Sequence, residues 1–189
     1  MSSLRIGLMM CLLIGLVGSA HGATPVRETV AAQVMGADSL RAHTFSLLAR
    51  GQVTEAIDYW VLTTGKEAPA WLLAYKTAFD ASKQVAGACQ GVARSIFTAF
   101  AQLGGKPELV ELQTLNSGTD KFSPIVFKMV NGRDMMLTDN GYHMLVRMNG
   151  RAYDAYTGAA GMPWAEYSSR LGSRSEITQK VVEAVTEAP

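Results

Sequence analysis

The stretch NGYHMLVRMNGRAYDAY, residues 140–156, decides how the rest of the chain is read. One Asn-Gly pair opens it, and a second, Asn149-Gly150, divides it into two short runs rich in β-branched and aromatic residues. Asn-Gly supplies the positive φ angles of a type I′ turn, so the stretch reads as a β-hairpin. With a two-residue loop, Met148 faces Arg151, Leu145 faces Asp154 and His143 faces Tyr156. Side chains alternate faces along a strand, which puts His143, Leu145 and Asp154 on one face. His143 and Asp154 are then diagonal neighbours, about 7–8 Å apart at the backbone and closer at their tips. A hydrogen bond between imidazole and carboxylate is within reach. A three-residue loop would send Asp154 to the opposite face.

Upstream, Asn131-Gly132 is a further pair, nine residues before Asn140-Gly141, which is itself nine before Asn149-Gly150. The rhythm predicts a four-stranded antiparallel meander from Pro124 to Tyr156, preceded by a strand in ELVELQTL. Before that the apolar spacing is helical. Val30, Val34, Ala37, Leu40, Leu47 and Leu48 outline a first helix from about Val26 to Arg50, with Gly51 as its C-terminal cap. A second helix is expected from Thr54 to about Leu62, and a third from Pro69 to about Val85. A fourth should begin near GACQG and run to Gly104-Gly105, with Val92, Ile96, Phe97 and Phe100 inward. PWAEYSSRL should form one more short helix, and the polar tail from Ser173 should be helical or frayed. Helices first and strands second define an α+β domain.

The composition is that of one globular domain: 48% hydrophobic and 17% charged in 189 residues. A formal net charge of +1 argues against nucleic acid or an anionic membrane surface as partner. Residues 1–22 carry Arg5, an apolar run from Ile6 to Val17, and the small residues Ala20 and Gly22. This is the pattern of a secretory signal peptide cleaved before Ala23, which predicts a periplasmic or secreted protein with no stable membrane insertion. The rival is an uncleaved N-terminal anchor.

Cleavage would remove Cys11 and leave Cys89 alone, so no internal disulfide can form. A lone thiol is a buried inert residue, an intermolecular linker or a reactive nucleophile. Cys89 sits near the first turn of the fourth predicted helix, where unpaired N–H groups and the helix dipole lower a thiol pKa. Gly87 and Gly91 flank it and leave room for a substrate backbone. Taken with the His143–Asp154 pair, this suggests a catalytic triad: Cys89 as nucleophile, His143 as base and Asp154 as its orienter. His43 has no partner at metal-ligand spacing, and one Cys with two His in the mature chain makes a zinc site unlikely. No cofactor is expected.

GACQGVARSIFTAFAQLGG followed by LTDNGYHMLVRMNGRAYDAYTGAAGMPWAEYSSRL resembles the papain-like toxin domains of bacterial polymorphic toxin systems, specifically papain fold toxin domain 2. The shared features are a Cys-bearing helix ending in glycine, NGxHxxVxxxGxxYD, and a small-residue stretch leading to a Pro-x-x-x-[WY] helix. The resemblance covers Gly87 to Leu171. It implies a papain-like fold, with the Cys-bearing helix packed on a C-terminal antiparallel β-meander. The segments would be a signal peptide over 1–22, a helical region over 23–86, a catalytic domain over 87–172 and a tail over 173–189. It also implies Cys89, His143 and Asp154 in the roles given, and cleavage of peptide or isopeptide bonds or deamidation of glutamine through a thioester. A cognate inhibitor, or immunity, protein is implied by the same analogy. Papain-like enzymes place an oxyanion-hole glutamine ahead of the cysteine, and Gln84 is the candidate, with Gln90 competing for that role. The short chain with its own leader departs from toxin domains, which usually end long multidomain chains.

The substrate would be a protein or peptide. The strongest competitor within the class is a peptidoglycan amidase or endopeptidase, although a DCSG-type motif is absent. The rival outside it is a non-enzymatic periplasmic binding module, for which Met129, Met135, Met136, Met144 and Met148 offer an adaptable surface.

Overall fold

The structure is a computed structural model that describes residues 26–114 and 123–185, with side-chain surroundings from residue 36 onward. The predicted leader lies outside the described residues. The fold is mixed α+β, with helices preceding antiparallel strands. Helix α1 (Val26–Ala49) ends where Gly51, at φ +75°, turns the chain. The Gly51 N–H then donates to the Leu48 carbonyl at 2.9 Å. Helix α2 (Val53–Thr64) starts one residue before Thr54, so that threonine lies inside the first turn and does not cap it. Helix α3 (Ala70–Ala78) follows Pro69 but stops well short of Val85, giving way to a 3₁₀ turn at Ala81–Lys83. Helix α4 (Cys89–Gln102) begins on the cysteine itself.

Two sheets follow. The larger runs in the order β6 (Met162–Pro163), β5 (Arg151–Tyr153), β4 (Tyr142–Met148), β1 (Glu108–Thr114), β8 (Ile177–Val182). The smaller runs β3 (Asp134–Thr138), β2 (Ile125–Lys128), β7 (Leu171–Gly172). Helix α5 (Trp164–Arg170) joins β6 to β7. Antiparallel C-terminal strands are as the sequence indicates, but the expected continuous meander is divided between the two sheets. Of its three turns, Asn149-Gly150 behaves as read: φ is 49° and 72°, and Met148, Arg147 and Val146 pair with Arg151, Ala152 and Tyr153. Asn131-Gly132 closes the β2–β3 hairpin with only its glycine at positive φ. Asn140-Gly141 joins strands of different sheets. There β4 leaves β3 and takes β1 as partner, Leu112 opposite His143. A turn signal marks where the chain bends, whereas the partner is chosen by which strand buries the matching apolar row.

The tail expected to be helical or frayed contains β8, which covers the second edge of β1 with Val110 opposite Val181. ITQKVV is rich in β-branched residues, and β1 would otherwise present unpaired N–H and C=O groups. The helices share one core with the sheet: Tyr75 of α3 lies edge-on to Phe100 of α4 at 5.4 Å, and Phe100 to Tyr153 at 5.0 Å. The Tyr75 hydroxyl also donates to the Ala159 carbonyl at 2.8 Å, tying α3 to the loop before β6. Alternation along β4 directs Met144, Val146 and Met148 toward these helices. His143, Leu145 and Arg147 face the opposite layer, where the Arg147 guanidinium lies over the Trp164 ring of α5. Both faces of the middle strand are therefore covered.

Gly161, at φ +66°, closes the loop before β6 against Tyr153, where an added Cβ would lie 2.6 Å from the ring. Phe100 blocks that ring from retreating. Gly161→Ala is expected to cost about 2–4 kcal/mol, from left-handed backbone strain plus overpacking. Urea unfolding should show a lower midpoint at unchanged slope. A loss below about 0.5 kcal/mol would show that the turn relaxes freely.

Candidate active site

The middle strand of the larger sheet carries His143, and the residue just past the end of β5 is Asp154. Both are almost fully buried, at 2% and 1% exposure. The Nε2 of His143 donates to Asp154 Oδ2 at 3.2 Å. The carboxylate lies in a turn of its own making: the amides of Tyr156 and Thr157 donate to Oδ1 at 2.8 and 3.0 Å. This is the side-chain-to-backbone pattern that short acidic side chains make in turns. The Thr157 hydroxyl takes the Asp154 N–H at 3.0 Å.

Cys89 approaches from the helical side. In a two-residue hairpin the residues flanking the loop exchange backbone hydrogen bonds, so the N–H groups of Met148, Val146 and Met144 all point toward β5. Because β5 ends at Tyr153, opposite Val146, the Met144 N–H is left at an open edge. The Cys89 thiol comes to that edge, where the Met144 and Gln90 amides both favour its thiolate. No side chain caps α4, whose first residue is Cys89 itself.

With Nε2 committed to Asp154, Nδ1 is the nitrogen turned to the thiol. It is the one buried side-chain polar atom among the described residues without a hydrogen-bond partner. The thiol and imidazole are close enough to shift each other's titration yet short of a formed bond, which is common before substrate binds. Burial is the largest single influence on Cys89 and would raise its pKa. His143 and the two amides together outweigh it, and the thiol lies below its usual value. Burial likewise opposes the imidazolium, but the Asp154 carboxylate and then Cys89 outweigh it, so His143 is pushed up to about 9. Asp154 is also raised by burial and lowered more by His143, by the Tyr167 hydroxyl and by the Tyr156 amide, so it stays ionised. The arrangement favours a thiolate–imidazolium pair held by a buried carboxylate.

Cys89, Gln90 and Gly87 line a small hollow of about 80 Å³, closed on the other side by Thr138, Asp139, Asn140 and Tyr142. The Asn140-Gly141 turn thus shapes the wall facing the thiol. The Gln84 Nε2 donates to the Ala155 carbonyl at 2.9 Å, linking the 3₁₀ turn to the Asp154 loop. Gln90 is the glutamine that lines the hollow beside Cys89. His43 lies against Tyr59, ring centroids 4.2 Å apart and planes tilted by 43°, and takes no part in the site. Among the described residues no group of three His, Cys, Asp or Glu is placed to hold a metal ion.

Sequence reading did not assign a role to Tyr167 of α5. Its hydroxyl donates to Asp154 Oδ2 at 2.7 Å, on the oxygen that His143 also uses. Its place in a short amphipathic helix marks it as a core aromatic, and no local pattern reveals where its hydroxyl goes. No protein-family model, curated protein or solved structure matches this chain.

The raised pKa of His143 has a sign that can be checked. Its folded value exceeds the unfolded one, so the imidazolium contributes stability that is complete below about pH 6.5 and lost as pH rises through about 9. In Asp154→Asn the charge is removed while burial remains. Imidazole ¹⁵N NMR should then show His143 titrating below about 6.5. If it still titrates near 9, Asp154 is not what raises it.

Proposed function

We propose that the chain is an exported papain-like thiol enzyme acting on protein or peptide amide bonds through a thioester, as a toxin- or effector-type protease or glutamine deamidase. What carries this reading is the buried, partnerless Nδ1 of His143, turned to a thiol at a helix N-terminus while Nε2 is held by a buried carboxylate. A structural histidine in a core has both nitrogens satisfied or one facing water. An unpaired nitrogen beside a thiol is what proton transfer requires.

The steps follow from the atoms. The Cys89 thiolate attacks the amide carbonyl carbon, and the carbonyl electron pair moves to oxygen. The amide of Cys89 itself, at the start of α4 where no side chain caps the helix, is the donor assigned to that oxyanion. On collapse the C–N bond breaks, and the leaving nitrogen takes the Nδ1 proton of His143. The leaving group is an amine in proteolysis and ammonia in deamidation. The neutral imidazole then removes a proton from water as it attacks the thioester. The C–S bond breaks, restoring the thiolate–imidazolium pair and releasing a carboxylic acid, which gives its remaining proton to solvent. Asp154 holds the ring oriented and compensates its charge throughout.

Hydrolysis of p-nitrophenyl acetate tests the mechanism without knowledge of the natural substrate. Repeated turnover is expected in the wild-type chain, with acetyl trapped on Cys89 at low pH. Cys89→Ala should abolish turnover and His143→Ala lower it by about 100-fold or more. Equal turnover in wild type and His143→Ala would overturn the reading.

A further inference from the structure

Asp154 has more donors than a histidine alone would need. A carboxylate offers about four lone-pair sites. Here two are filled by the Tyr156 and Thr157 amides, one by His143 at 3.2 Å and one by Tyr167 at 2.7 Å. Tyr167 and His143 share Oδ2, and Tyr167 together with the two amides gives the carboxylate three donors besides His143. Tyr167 comes from outside the hairpin, on α5, and is fully buried. Its ring lies 5.3 Å from Phe127 and 6.0 Å from Trp164. The titratable groups facing this cluster are Cys89 from α4, His143 from β4, Tyr156 from the turn after β5 and Tyr167 itself. Burial, then the charge of Asp154, raises the Tyr167 phenol well above its usual value, so it remains a donor over the whole accessible pH range.

We propose that Tyr167 is a positioning residue of the Cys89 site: its hydroxyl holds the Asp154 carboxylate ionised and aimed at His143, and so sets how readily Cys89 forms a thiolate. This rests on the thiol chemistry proposed above. Removing the hydroxyl leaves one lone pair of a buried carboxylate unsatisfied, which weakens the carboxylate's hold on the imidazolium and raises the pH needed for the thiolate. A tyrosine serving only as core filling would leave that pH unchanged.

The test is the pH–rate profile of Cys89 alkylation by iodoacetamide in the full chain, read on the Cys89 peptide by mass spectrometry so that Cys11 does not contribute. Wild type, His143→Ala, Tyr167→Phe and Phe127→Leu are compared. Phe127→Leu disturbs the same packing without touching the hydroxyl, and should keep the wild-type midpoint. Tyr167→Phe should move the midpoint up by about 0.5–1 pH unit, a roughly 3–10-fold loss of rate on the acidic limb. A Tyr167→Phe profile that overlays wild type, while His143→Ala is displaced, overturns the role of Tyr167 and leaves the Cys–His pair standing. Coincidence of wild type and His143→Ala overturns both. Should Tyr167→Phe fail to fold, 3-fluorotyrosine placed at position 167 supplies a more acidic donor. It should lower the midpoint, and an unmoved midpoint overturns the proposal.

Discussion

The two-residue turn at Asn149-Gly150 sets the pairing of β4 with β5, and the placement of side chains across the sheet depends on it. Because side chains alternate with a period of two, a shift of one residue would exchange the two faces of β5. Asp154 would then point toward the helices while His143 remained directed at the α5 layer. The observed register gives both residues to one face and Tyr153 to the other, where it meets Phe100. β5 stops at Tyr153, where the chain enters the turn built around Asp154. Its short length leaves the Met144 amide at an open edge, and that edge is where the start of α4 delivers Cys89.

Three ionisable groups meet at that place with little water. Charges taken from water are costly unless paired and hydrogen-bonded. Asp154 meets this condition with four donors, and the imidazolium of His143 is held by the carboxylate at Nε2 and turns Nδ1 to the thiol. Each opposes the burial penalty of its neighbour, which is why the thiol is lowered while the imidazole is raised. The hydrogen bonds that hold Asp154 come from the turn after β5 and from α5, so the site draws on elements beyond the hairpin. Removing any one partner would leave a buried charge uncompensated. The cluster is therefore structural and chemical at once.

Several local signals in the chain are legible because their cause is local, although Thr54 does not cap α2 and α3 ends before Val85. Gly51 ends α1 because a residue without Cβ is favoured at positive φ. Cys89 opens α4, and Pro163 precedes α5, as their surroundings in sequence indicate. Where the cause was a distant partner, the reading was incomplete. The nine-residue rhythm of Asn-Gly pairs marked bends but did not reveal that β4 abandons β3 for β1, since both choices satisfy the same alternation. The polar tail hid β8, whose pairing depends on the free edge of β1. That the Gln84 side chain bonds the Ala155 carbonyl beside Asp154 is likewise a contact between distant segments.

The sequence by itself determined the α+β order, the hairpin register and, through that register, the juxtaposition of His143 with Asp154. Those depend on φ preferences and on the period of two, which act over a few residues. The tertiary structure decided which strand neighbours which, where the thiol enters the sheet edge, and that Tyr167 completes the shell of Asp154. Cys89 and His143 are far apart along the chain, and their meeting depends on α4 packing against β4. Tyr167 reaches Asp154 because α5 folds over the face opposite the helices. Contacts of that kind are set by burial summed over the whole core, and no short pattern encodes them.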